Sequence, residues 1–245
     1  MNKHIYPLSE SLDLIVNIAS MSPAEKAKHL HVKLGDILCM DENEDAILRD
    51  VGNNFALKIC FRVDEDDTYL GMIQLNRTLA KIFNLPLGGM ADAALAAAEA
   101  AAPATFQGLH SFMLDSRRGI FPESPLLSEV RKEDVDPFEI YILSSTIRTY
   151  GASALYYPGV QEKISKLVGG SYYVLPCSVH EVLILPDINS SGGLDAGSLS
   201  SIVKLVNDQE LQESDLLSYR VLYYDDKIRA LCETSPETGA KACRL

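Results

Sequence analysis

The feature that most constrains this fold is a recurring unit: two apolar runs held apart by a short polar turn. Residues 55–63 and 69–75 flank Asp64-Glu65-Asp66-Asp67. Residues 172–175 and 179–185 flank Pro176-Cys177-Ser178, and residues 219–224 and 227–231 flank Asp225-Asp226. Short apolar runs bounded in this way read as strands. A turn this short joins only antiparallel neighbours, because a parallel pair needs a long crossover. In the run 179–185, Val182 and Ile184 share one face and Leu183 and Leu185 the other, so this strand is expected to be buried on both sides.

Helical signals fill the spaces between the hairpins. Residues 9–20 carry Leu12, Leu14, Ile15, Val16 and Ile18 and read as a short helix. Ser22-Pro23-Ala24-Glu25 is a capping box with proline in the first turn, and it predicts a second helix to about His31. Asn76 precedes Leu79, Ile82 and Phe83, and residues 90–102 form an alanine-rich run closed by Pro103. Pro158 opens a helix with Val160, Ile164, Leu167 and Val168, which Gly169-Gly170 ends. Asp195 precedes Leu199, Ile202, Val203 and Val206 at helical spacing.

The expected fold is therefore α+β, with largely antiparallel sheets and helices packed on one face. Strand and helix follow one another at 69–84 as they do at 138–168, which suggests two similar α/β halves. The expected organisation is an N-terminal α/β region (1–102), a linker-like segment (103–137), a C-terminal α/β region (138–233) and a frayed tail (234–245). The linker reading rests on Pro122, Pro125, Pro137 and Arg117-Arg118-Gly119.

Charge narrows the function classes. The net charge is −12 and the pI about 4.8, so the field of the chain repels phosphate backbones and anionic membranes. Tryptophan is absent, and no basic cluster is interleaved with aromatics. Nucleic acid and membrane are thus not expected partners. The first ten residues lack a cationic start followed by an apolar run, which points to the cytoplasm. The five cysteines show no CxxC spacing and read as reduced core residues.

The second half carries a recognisable signature. Residues 150–160 read Tyr-Gly-Ala-Ser-Ala-Leu-Tyr-Tyr-Pro-Gly-Val, and residues 175–182 read Leu-Pro-Cys-Ser-Val-His-Glu-Val. This resembles a domain-of-unknown-function family of Gram-positive gut bacteria, with its Tyr-Pro-Gly helix and Leu-Pro-Ser-Ser-(Val/Ile)-His-Glu-Val hairpin. The resemblance implies a fold and no activity. Cys177 stands where that family usually has serine, which marks the position as a turn residue.

Candidate chemistry is sparse. Cys177, Ser178, His180 and Glu181 place a thiol, a base and an acid close together. In a strand, however, His180 and Glu181 point to opposite faces and cannot orient one another. Asp64 to Asp67 lack the alternating ligand spacing of a calcium loop. His29 and His31 have no cysteine nearby to complete a zinc set. Gly88-Gly89 and Gly192-Gly193 lack the lysine of a phosphate loop. No metal, cofactor or catalytic residue is assigned. Tyrosines crowd the second half and suit an interface.

The favoured reading is a non-enzymatic binding or protein-interaction protein, acting on a protein partner or by self-association. Its binding candidates are Tyr156, Tyr157, Ser178, His180 and Glu181. The alternatives are a hydrolase or transferase using the Cys177–Glu181 hairpin, and an immunity-like or regulatory partner of another bacterial protein.

Overall fold

The computed structural model describes residues 8–38, 45–66, 69–118, 123–187, 196–234 and 241–242. Its first elements follow local chemistry. Helix α1 spans Leu8–Ser20 and α2 spans Pro23–Lys28. The capping box forms as expected: Ser22 accepts from the Glu25 amide, and Glu25 accepts from the Ser22 amide. Helix α2 stops earlier than expected, at Lys28, because His29 closes the last turn and strand β1, Leu30–Asp36, begins at once. Leu30, Val32 and Leu34 recur with a period of two, which the helical reading overran.

Strands β2 (Leu48–Gly52), β3 (Phe55–Asp66) and β4 (Tyr69–Gln74) complete a four-stranded sheet in the order β1-β3-β2, with β4 also on β3. The β3–β4 hairpin is antiparallel, with Phe61 opposite Ile73 and Val63 opposite Gly71. Asp67 lies outside the described residues. Asn76 caps α3, Arg77–Ile82, by accepting from the Leu79 amide at 2.7 Å. Helix α4 spans Met90–Ala101.

Strand β5 (Ala104–Gly108) and helix α5 (Leu109–Arg117) follow. Next come β6 (Tyr141–Ser145), a 3-10 helix (Gly151–Tyr156), α6 (Val160–Val168), β7 (Tyr172–Leu175) and β8 (Val182–Pro186). Helix α7 (Ala196–Glu210), β9 (Leu222–Asp225), β10 (Ala230–Thr234) and β11 (Lys241–Ala242) complete the order. Asp195 and Gly192-Gly193 lie outside the described residues. The second sheet runs β11-β10-β9-β7-β8-β6-β5, and these neighbours pair antiparallel. The architecture is α+β with mostly antiparallel sheets. The two sheets differ in strand number and order, so they are not copies of one plan.

The chain divides into two compact units. The first comprises residues 1–32, 42–49 and 58–101, and the second comprises 33–41, 50–57 and 102–245. In the first, Phe61 packs between His29, stacked at 5.3 Å, and Phe83, tilted at 5.6 Å. In the second, Leu199 and Val203 of α7 pack on Leu175 and Cys177, with Tyr173, Leu183 and Leu185 alongside. The opposite face of β7 carries Tyr172, whose hydroxyl donates to the Gln161 carbonyl of α6 at 3.1 Å. Helices therefore cover both faces of β7, where one covered face was expected. The cause is the alternation of two apolar sets along the same strands, which leaves neither face fit for water.

The segment read as linker-like carries a strand. β5 pairs residue by residue with β6, and its outer edge bonds to residues 125–127. Proline here interrupts regular structure without making the chain a tether. In the segment expected to fray, Lys241 and Ala242 pair with Thr234 and Glu233. The reading of every cysteine as reduced also fails. Cys60 and Cys177 are free thiols, but Cys232 is disulfide-bonded. An odd count leaves one thiol over without forbidding a pair.

Candidate functional site

The polar hairpin sits at the tip of β7 and β8. Strand β8 begins only at Val182, so residues 176–181 form a connection and not a strand. This connection is stitched to two other segments. On one side the Leu217 amide donates to the Cys177 carbonyl at 2.8 Å, and the Val179 amide to the Asp215 carbonyl at 2.9 Å. On the other, Ser144 Oγ donates to the His180 carbonyl at 2.8 Å, and the Ala152 amide to the Val179 carbonyl at 3.3 Å.

His180 is held at both ring nitrogens. Its Nδ1 accepts from the Tyr150 amide at 3.3 Å, and its Nε2 lies 3.5 Å from Asp215 Oδ1. An Nδ1 that accepts leaves the ring proton on Nε2, the nitrogen that faces Asp215. The Tyr150 ring lies parallel to His180 at 6.0 Å, and Lys33 Nζ stands 4.5 Å from the Tyr150 centroid. Ser178 Oγ accepts from the His180 amide at 3.0 Å. Burial raises the Glu181 carboxyl above its usual range, His180 and Arg148 oppose that rise, and Asp215 adds to it.

The loop facing this hairpin is strained. Arg148 and Tyr150 both adopt the left-handed region, at φ 56° and 55°. Non-glycine residues hold that conformation only where their surroundings fix it. Gly151 explains the next step. A Cβ there would lie 2.2 Å from Ser144 Oγ, 2.5 Å from the His180 carbonyl oxygen and 2.8 Å from the Ser145 nitrogen. The 3-10 helix that follows is almost wholly buried, Ala152 and Ala154 completely so. Gly159, at φ 75°, then caps α6.

The five binding candidates separate by exposure. Tyr157 and Ser178 are buried, and His180 and Glu181 are half-exposed. Tyr156 is half-buried, but its hydroxyl is fully enclosed and has no hydrogen-bond partner among the described residues. Burial raises its phenol far above the usual range, against the pull of Arg220. Cys177 is buried, and its thiol is pushed up to about 11 by burial and then by the Glu181 charge. A thiol so placed stays protonated at neutral pH and is a poor nucleophile.

A second polar group escaped the sequence reading. Asp36, at the end of β1, is 3% exposed, and Arg220 grips it through Nη2 at 2.5 Å and Nε at 3.2 Å. The remaining guanidinium donors reach the Asn53 carbonyl, the Asn54 carbonyl and Glu233. Ser218 Oγ adds a 2.6 Å bond to Asp36, and Phe55 lies under the guanidinium at 5.0 Å. Every N–H of Arg220 is thereby used, so the group is a structural clamp. The available signal was a lone charge inside an apolar run, at Arg220 between Tyr219 and Val221.

Among the described residues no cluster of three or more His, Cys, Asp and Glu could hold a metal, and no helix is long and apolar enough to cross a membrane. The geometry defines an α+β protein whose 176–181 connection and Asp36–Arg220 clamp are bonded into its own framework. The chain belongs to DUF5688, a family of unknown function whose model matches residues 17–226. Comparison with curated proteins and with solved structures finds no match.

Proposed function

We propose that this is a non-enzymatic binding protein whose recognition surface is the 146–150 loop together with His180 and Glu181. The observation that supports the reading is the state of the hairpin's reactive groups. His180 has both nitrogens engaged, and the Cys177 thiol is buried and pushed up to about 11. Such a group positions a surface and does not attack a substrate. Buried Ser178 supports that surface from beneath, its Oγ accepting from the His180 amide, while Tyr157 is buried and Tyr156 has its hydroxyl enclosed. Arg148, Tyr150, His180 and Glu181 offer a mixed-charge, partly aromatic face suited to a protein partner or to a second copy of this chain. The compartment proposed with this reading is the cytoplasm, with Cys60 and Cys177 as buried free thiols.

The test has two arms. Native protein treated with iodoacetamide at neutral pH should leave Cys177 unmodified while denatured protein reacts fully. Rapid labelling of Cys177 in the native state would transfer the argument to the hydrolase or transferase reading. In the second arm, a partner crosslinked in cells, or self-association seen by sedimentation, should be lost in the Arg148→Glu, Glu181→Arg double variant. Retention of the complex would place the interface elsewhere.

A further inference from the structure

We propose that His180 is a proton-operated latch, which holds the 146–151 loop while its Nδ1 is bare and releases it when that nitrogen is protonated. The argument is geometric. Nδ1 accepts a hydrogen bond from the backbone amide of Tyr150, which has no other proton arrangement to offer. A proton on Nδ1 sets two donors against each other, and the bond is lost. The far side of the ring behaves in the opposite sense. Asp215 faces Nε2 at 3.5 Å and attracts the imidazolium more strongly than the neutral ring. Protonation therefore keeps the ring on Asp215 and breaks it from the loop.

The loop is poised to respond. Arg148 and Tyr150 are held left-handed, a conformation that relaxes once its restraint goes. The charges around the ring are of both signs. Asp215, from the segment after α7, and Glu181, beside His180 in the chain, are the acidic groups there. Arg148, from the loop itself, and Lys33, from β1 over the Tyr150 ring, are the basic ones. This inference concerns the loop's conformation and stands whether or not the loop meets a partner.

The test uses the full chain labelled with nitrogen-15. At neutral pH the imidazole should show a bare Nδ1 and a protonated Nε2; the reverse tautomer would overturn the proposal without any variant. As His180 titrates, the exchange protection of the Tyr150 amide, corrected for intrinsic rate, should fall about tenfold, the worth of one ordinary hydrogen bond. His180→Asn places a non-titrating oxygen near the Nδ1 position and should hold the protection constant across the same range. Asp215→Asn should move the loss to lower pH, because the imidazolium forfeits its counter-charge. Unchanged Tyr150 protection while His180 titrates, or a loss that persists in His180→Asn, would sink the latch.

Discussion

His31 sits in the apolar interior of the first unit, 1% exposed, with neither ring nitrogen bonded among the described residues. Burial, and then the Arg62 charge, lower its pKa to about 4 from the usual 6.5. The unfolded chain therefore takes up a proton below pH 6.5 that the folded chain refuses until about pH 4. Stability contributed at this position is intact above the upper value and declines as pH falls towards the lower one. The difference in pKa corresponds to about 3 kcal/mol. Urea melts should show His31→Leu gaining on the wild type as pH drops from about 7 to about 4.5. A pH-independent gap between the two would mean that His31 has a hidden partner. Legibility at this scale follows distance along the chain. The caps at Ser22 and Asn76 were readable because donor and acceptor lie three residues apart. The Asp36–Arg220 clamp was not, because nothing local marks a bond across 184 residues.

The elements were legible where a turn declared them. The β3–β4, β7–β8 and β9–β10 hairpins were all expected from apolar runs about a polar turn. Strands β1 and β5 were missed, because neither is joined to its sheet neighbour by a tight turn and their pairings depend on tertiary structure; β2 was missed although a tight turn, Asn53-Asn54, with both residues at positive φ, joins it to β3. The signature at 150–160 was visible as a pattern, but its reason was not. Gly151 is required by space and Gly159 by backbone angle, a difference that only the structure supplies. That difference is measurable. At Gly159 nothing lies within 4 Å of an added Cβ, but φ is +75°, so Gly159→Ala should cost about 1 kcal/mol of left-handed strain. At Gly151 two of the three obstructing atoms belong to the backbone, so Gly151→Ala should cost more, at the upper end of the about 1–3 kcal/mol of overpacking. Melts of the two variants that ranked them in the other order would contradict this account.

For the whole molecule the sharpest exposure is to redox state. Cys232 is disulfide-bonded, while Cys60 and Cys177 are free and buried. If the protein works in the cytoplasm, a membrane-permeant alkylating agent added to intact cells before lysis and denaturation should modify Cys232. After purification in air, the same residue should resist alkylation until a reductant is added. Protection already present in the intact cell would place the protein in an oxidising compartment.

The clamp between Asp36 and Arg220 has a bearing on how the protein is made. A ribosome delivers the amino end first, at about 5–20 residues per second. Every residue of the first unit lies at or before Ala101, so that unit is complete in the growing chain well before synthesis ends. The second unit claims residues 33–41 and 50–57 as well as the last stretch, and the partner of Asp36 arrives 184 residues later. Until Arg220 emerges, burying Asp36 means burying an uncompensated carboxylate, which is strongly disfavoured. Assembly during translation is therefore ordered in time: Asp36 stays in water until Arg220 has been made.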